Sequence, residues 1–180
     1  RGYSGPVQVT DVSRQAHPLT NRYLEATEQI GITQNPDYNT GNIEGSFVYQ
    51  TNTHKGRRSS ASSAYLSQQK KQKNLVIITR AHVKKVLFEG SKAVGVEYSH
   101  KGKRNVANAA KEIILSAGAL ASPQLLQISG IGPAKTIKDL NITVISDLPD
   151  VGLHLKDHIG LDHTLLTNQP SLNQLFRPLS

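Results

Sequence analysis

The hydrophobic residues follow two different patterns, and the change between them falls near residue 75. In the first part, one stretch carries apolar side chains near helical spacing, at Leu19, Tyr23, Ala26 and Ile30. Pro18 suits a first helical turn, and Gly31 suits the C-terminal end of a helix. The pattern therefore predicts a helix from about residue 18 to residue 30.

The remainder of the first part is polar and rich in turn-forming residues. We expect an edge strand at residues 7–10, and a short helix at residues 59–66. Asn, Asp, Gly and Pro recur between residues 32 and 58, which indicates a succession of turns with one strand at residues 45–51.

Beyond residue 75 the chain becomes rich in β-branched residues. Residues 75–79 (LVIIT) and 82–88 (HVKKVLF) are predicted strands. Residues 94–99 alternate between apolar and small or polar side chains, which indicates a half-buried strand. Lys101-Gly102-Lys103 then predicts a hairpin turn, with residues 104–109 as the return strand.

The next segment places a buried strand directly before a helix. Residues 112–116 (EIILS) form a continuous apolar run, as expected of a strand covered on both faces. In the following GALASPQLLQISGIG, Ser122 can cap a helix that starts at Pro123, and Gly130 can end it. A second helix at residues 133–140 and a strand at residues 142–145 follow, so the pattern favours an α/β fold.

The turn between this strand and this helix is a candidate nucleotide site. Ser116, Ala117 and Gly118 lie at the carboxyl end of the strand, where ligands bind in parallel α/β sheets. A helix N-terminus presents free N–H groups to a phosphate, and Gly118 has no side chain to keep a nucleotide away. The alternative is a well-capped strand–helix corner that binds nothing.

Two other segments resemble known binding motifs but lack residues that those motifs require. Gly130-Ile131-Gly132 follows a helix, and Lys135 stands where a dinucleotide fingerprint needs its third glycine. His154 and His158 are four residues apart, but no Glu follows His154 and Gly160 interrupts any shared helix. We therefore predict neither a dinucleotide fingerprint nor a metal site.

Composition adds a second hypothesis. The net charge of +8 suggests nucleic acid as a partner, but the basic residues are dispersed and lack interleaved aromatics, so we expect no nucleic-acid binding. Without Cys there is no disulfide or thiolate site, and no apolar run approaches the roughly 20 residues that span a bilayer. Because the chain begins with Arg1 and contains no Met, we expect an internal fragment.

Several motifs together carry a family resemblance. GALASPQLLQISGIG resembles the second signature of the glucose–methanol–choline (GMC) family of flavin oxidoreductases, in its choline and alcohol dehydrogenase branch. GRRSSA followed by AYL, the strands in NLVIITRAHVKKVLFEGSKAVGVEY, and DLPDVGLHLKDHIG resemble other family segments in the same order. The resemblance covers residues 1 to 165.

The resemblance implies FAD as cofactor and two kinds of domain. Residues 1–74 would belong to a mixed-sheet substrate domain, residues 75–152 to a Rossmann-like FAD-binding domain, and residues 153–180 would return to the substrate domain. The fold would thus be α/β, and α+β overall.

The same resemblance assigns residues to the cofactor. Val83 would meet the adenine end of FAD through its backbone. Ser116, Ala117 and Gly118 would lie beside the ADP part, with Ser122 starting the helix behind them. A core strand valine is the plain alternative for Val83.

The passage from Val151 to His158 matches the family less closely. Asp157 and His158 match a usual Asp-His pair and would position the domain junction. His154 and Lys156 replace the family's usual Asn and Gln, so the polar contacts of those amides are not expected here.

No stretch of the chain matches the family's catalytic histidine motif or its N-terminal glycine motif. We therefore expect no catalytic residue here, and no oxidation by the chain alone. The parent would oxidise a primary alcohol, with choline as a candidate, and pass electrons to an acceptor that the sequence leaves open.

Two alternatives remain: a basic non-catalytic domain that binds nucleic acid or an anionic surface, and an inactive truncated family member. The expected location is the cytoplasm or a membrane surface.

Overall fold

The computed structural model describes residues 4–69 and 71–171. The chain forms two compact units, one of Arg1–Val76 with His163–Ser180 and one of Ile77–Asp162. The final stretch of the predicted third segment, residues 172–180, lies outside the described residues.

The first unit contains the predicted N-terminal helix, α1, at Pro18–Gln29. Its start is fixed by His17, whose Nδ1 accepts a hydrogen bond from the Leu19 N–H at 3.2 Å, and by Pro18 in the first turn. Gly31 follows the helix with φ +87°, a conformation that glycine adopts without strain. The prediction for residues 18–30 is confirmed.

Most of the first unit is irregular and is held by side-chain contacts. Short 3₁₀ turns occupy Ser13–Gln15 and Tyr38–Thr40, and strands β1 (Thr53–His54) and β2 (Arg57–Arg58) form a small hairpin. The predicted helix at 59–66 is a π-helical turn at Ser62–Leu66 that continues into α2 (Ser67–Gln69).

The two strands predicted in this unit, at 7–10 and 45–51, are wrong as extended elements. They appear only as single bridges, Thr10 with Thr51 and Gln34 with Ser46. Around the segment 45–51, Tyr38 and Phe47 stack with ring centroids 4.2 Å apart, and the buried Thr27 hydroxyl bonds Ser46 Oγ at 2.8 Å. These contacts, which the pattern does not encode, replace a strand ladder.

The second unit contains a three-stranded antiparallel sheet in the order β3 (Ala81–Glu89), β4 (Lys92–His100) and β5 (Lys103–Asn108). The β4–β5 turn is the one predicted, with Lys101 at φ +50° and Gly102 at φ +74°. Positive φ at both central residues matches the twist of the flanking strands. The predictions for 82–88, 94–99 and 104–109 are confirmed within one or two residues.

Three predicted strands are wrong: 75–79, which spans the boundary between the two units, and 112–116 and 142–145 in the second unit have no strand pairing. A strand needs a ladder of hydrogen bonds to a neighbouring strand, and among the described residues these segments form no such ladder. The parallel pairing that does occur joins β6 (Ile131–Gly132) to β7 (Ser146–Asp147), immediately after the third of these segments.

The helix after residues 112–116 also differs from its prediction. Helix α3 spans Gly118–Ile128, so Pro123 lies inside it and the N-cap is Ala117. Ser122 is not the N-cap; its Oγ accepts the Ala117 N–H from within the helix at 3.0 Å. That bond closes the first turn, which explains why the helix starts five residues earlier than Pro123.

The helix predicted at residues 133–140 is confirmed as α4 (Ala134–Asp139), with Pro133 as its N-cap and not as its first residue. Its first N–H, on Ala134, donates to Asp147 Oδ1 at 2.9 Å, so β7 caps the helix. The core of this unit is small, since the buried apolar side chains among its described residues are Val86, Leu125 and Ile137.

Candidate functional site

A cleft of about 640 Å³ lies in the second unit, between the start of β3, residues 113–117 and one face of α3. Its volume falls within the range of about 300–1,000 Å³ typical of small-molecule sites. Apolar side chains supply much of its wall, among them Val83, Val96, Ile113 and Leu115.

The cleft brings together three of the five residues predicted to bind a cofactor. Val83, Ser116 and Ala117 line it. Gly118 follows directly as the first residue of α3, and Ser122 lies in the next turn, but neither lines the cleft. Their role in binding stays a prediction.

The start of α3 is suited to an approaching polar group. Among the described residues, no side chain caps the first helical N–H groups, because the N-cap residue is Ala117 and the hydroxyl of Ser122 bonds the Ala117 N–H instead. Gly118 has φ +90°, and a Cβ added there would meet nothing within 4 Å. The helix N-terminus therefore presents free N–H groups beside open space, the arrangement that receives anions.

The opposite wall is formed by β3, the edge strand of its sheet. An edge strand has one row of backbone N–H and C=O groups that its neighbour strand does not use. Val83 is 37% exposed, and the pairing of β3 with β4 is irregular between Val83 and Lys85. Backbone groups near Val83 can therefore reach a ligand, whereas its isopropyl group supplies apolar contact.

Sequence reasoning missed two polar residues that line the same cleft, His82 and Gln124. Gln124 lies three residues after Ala121 on α3, so the two share a helix face. The correct helix start would have revealed this face. His82 adjoins Val83, but no motif or pattern in the sequence marks His82 as a site residue.

The stretch from Val151 to His158 lies apart from this cleft's lining residues. His154 has φ +56° and forms an exposed pair with Asp150, with Nε2 3.6 Å from Oδ1. Asp157 accepts a hydrogen bond from the His158 N–H at 2.8 Å. Gly152 packs on Gln127, whose Nε2 donates to the Val151 carbonyl at 2.8 Å.

The described ranges contain no group of three or more His, Asp or Glu residues that could hold a metal ion. Within the same ranges, no helix has both the length and the apolar character needed to span a bilayer.

A helix N-terminus with free N–H groups can receive a phosphate, and an apolar cleft with a few polar groups is typical of a small-molecule site. The chain belongs to the GMC oxidoreductase family, whose sequence profile matches residues 2–160. It is 44% identical over 172 residues to the oxygen-dependent choline dehydrogenase of Pseudomonas putida. That match covers 94% of this chain and 30% of the relative, so the chain spans less than a third of the relative's length.

Solved structures agree. Pyridoxine 4-oxidase from Mesorbium loti matches with a TM-score of 0.78 at 31% identity, over 83% of this chain and 29% of that protein. An FAD-dependent oxidoreductase from Chaetomium thermophilum matches with a TM-score of 0.77 at 34% identity, over 83% and 26%. The family resemblance and the mixed α/β fold are confirmed, and the basic nucleic-acid domain is not favoured.

Proposed function

We propose that this chain is part of an FAD-dependent oxidoreductase that oxidises a primary alcohol to an aldehyde, with choline as the leading substrate. The observation that carries the proposal is the family match over residues 2–160, together with 44% identity to a choline dehydrogenase. The chain would contribute part of the cofactor site, and the alcohol-binding pocket would be completed by other parts of the protein.

The cleft fits the nucleotide end of FAD. An adenine ring needs flat apolar walls and backbone groups for its polar edge, and Val83, Val96 and Ile113 can provide the walls. A pyrophosphate needs N–H donors, which the start of α3 presents beside Ala117. When bound, FAD accepts the hydride that the alcohol loses.

Each predicted residue then has a distinct task. Val83 holds adenine through its backbone, and Ser116, Ala117 and Gly118 leave room for the ADP part. Ser122 fixes the first turn of α3 through its bond to the Ala117 N–H. The group that takes the alcohol proton lies outside this chain, so the chain binds and orients the cofactor without completing the reaction.

The two units would have different functions. We assign the unit of residues 77–162 to cofactor binding, because it contains the cleft, and the other unit to the substrate domain.

The test uses the full-length protein purified with its cofactor. Under anaerobic conditions, choline should bleach the visible absorbance of the oxidised flavin, and the isolated chain should show no flavin-dependent turnover. Absence of flavin from the full-length protein would overturn the proposal. Bleaching by other primary alcohols but not by choline would reject choline as the substrate and leave the proposed alcohol oxidation in place.

A matched pair of variants tests the cleft. Ala117→Glu places a carboxylate among the groups proposed to receive the pyrophosphate, and we expect FAD affinity to fall about tenfold or more. Ala110→Glu adds the same charge at an exposed position that does not line the cleft. Equal FAD affinity in the two variants, measured by reconstituting the apoprotein, would show that the cleft is not the site.

A further inference from the structure

Ser129 joins the strand and the helix that form opposite walls of the cleft. It lies at the C-terminal end of α3 and is 8% exposed. Its Oγ accepts a hydrogen bond from the Val86 N–H on β3 at 2.8 Å and donates one to the Leu125 carbonyl of α3 at 2.6 Å. One hydroxyl therefore bonds both elements at once.

The bond to Val86 satisfies a group that would otherwise be buried without a partner. Because β3 is an edge strand, the Val86 N–H that faces away from β4 has no strand beside it. Val86 itself is 6% exposed, so water does not replace the missing strand. Loss of the hydroxyl would leave a buried donor unpaired, which is costlier than loss of an exposed hydrogen bond.

The same two elements define the cleft. Val83 lies three residues before Val86 on β3, and Leu125 lines the cleft from α3. The register of β3 against β4 shifts between Val83 and Lys85, so the segment that joins Val83 to Val86 contains an irregular pairing. The hydroxyl of Ser129 forms a direct polar link between the two walls.

We propose that Ser129 is a positioning residue for the nucleotide site: its hydroxyl sets the position of β3 against α3, and so the width of the cleft. This inference rests on the proposed function for its ligand. It assigns Ser129 no contact with the cofactor, since Ser129 does not line the cleft.

The first test compares three variants of the full-length apoprotein. Ser129→Ala removes both hydrogen bonds, and we expect FAD affinity to fall about tenfold. Ser129→Cys keeps a weaker donor and acceptor in nearly the same volume, and its affinity should lie between those of Ser129→Ala and the unaltered protein. Ile137→Val perturbs the same unit at a fully buried side chain outside the cleft, and should change affinity by no more than about twofold.

Thermal unfolding of each apoprotein separates positioning from stability. For each variant we compare the loss of FAD affinity with the loss of melting temperature. If the ratio of the two losses is the same for Ser129→Ala and Ile137→Val, Ser129 acts only on stability and the inference is wrong. Unchanged FAD affinity in Ser129→Ala would also overturn it. If Ser129→Ala does not fold, the same comparison between Ser129→Cys and Ile137→Val decides the matter.

A second readout does not depend on flavin. Amide hydrogen exchange in the apoprotein should be faster in Ser129→Ala than in Ile137→Val at residues 81–86 of β3 and at residues 122–128 of α3, the two elements that Ser129 joins. Equal exchange in both segments would overturn the inference. If the unaltered protein binds no FAD, the proposed function fails, whereas the exchange data still decide whether Ser129 holds the two walls together.

Discussion

At the scale of single residues, Gly130 shows how one position can meet two requirements. Its φ of +95° ends α3, and its α-carbon lies so close to the next segment that a Cβ would meet the Thr143 carbonyl and, at 2.8 Å, Ile145 Cγ1. The backbone carbonyl of Gly130 also accepts the N–H of Ile145 at 2.8 Å. The same glycine therefore stops a helix and admits the chain that leads into β7.

We predict that Gly130→Ala destabilises the second unit by about 2–5 kcal/mol, from left-handed strain together with steric overlap. Gly90→Ala is the matched control, because Gly90 has φ +59° but nothing within 4 Å of an added Cβ. The control should cost only the strain, about 1–2 kcal/mol. Thermal unfolding of the full-length protein measures both, and equal losses would mean that the close packing at Gly130 contributes nothing.

At the scale of elements, the β4–β5 hairpin places a poorly suited residue at a demanding position. Lys101 has φ +50° in a two-residue turn whose second residue, Gly102, has φ +74°. Such turns favour Asn followed by Gly, because Asn tolerates positive φ better than residues with long side chains do.

Lys101→Asn should therefore stabilise the hairpin by about 0.5–1 kcal/mol. Amide exchange across β4 and β5 in the full-length protein measures this local stability. Lys92→Asn removes the same charge from the start of β4, where φ is not positive, and should give no gain. A similar gain in both variants would attribute the effect to charge and not to the turn.

Elements with local determinants could be predicted from the sequence, and elements that need a partner could not. Helix α1 has its own cap and proline, and the β4–β5 hairpin has its own turn, so both were found. Residues 112–116 have a strand's composition but no neighbouring strand among the described residues. Ser122 and Pro123 resemble a helix start, yet the bond from Ala117 moves that start to Gly118.

The candidate site divides in the same way. Ser116 and Ala117 could be predicted because the apolar run before them ends at the turn into α3, although that run forms no strand among the described residues. His82 and Gln124 were not, because only the packing of α3 against β3 brings them to one cleft. Val83 came from the family resemblance, and its position in the cleft agrees with that expectation without testing its contact with FAD.

At the scale of the whole molecule, the described residues bury few apolar side chains and expose many. Four are buried, Ala64, Val86, Leu125 and Ile137. By contrast, Ile114 is 76% exposed and Ile159 is 95% exposed. Exposed apolar side chains in such numbers are typical of surfaces that other protein segments cover.

We therefore predict that the isolated chain of residues 1–180 binds the hydrophobic dye 1-anilinonaphthalene-8-sulfonate, whereas the full-length protein does not. Replacing Ile159 and Leu161 together by Ser should lower the dye signal of the isolated chain, since both are exposed. Replacing the exposed Thr164 and Thr167 by Ser is a control that leaves apolar exposure nearly unchanged. A monomeric isolated chain without dye binding would contradict the prediction.

The sequence by itself determined the features whose causes are local or recorded in family motifs: α1, the β4–β5 hairpin, the end of α3 at Gly130 and membership of the GMC family. Tertiary structure decided the rest. It set where α3 begins, paired β6 with β7, and brought β3 to α3 across a cleft with Ser129 between them. The physical reason is that strand pairing and cleft formation need a partner from a distant part of the chain, which hydrophobic periodicity does not specify.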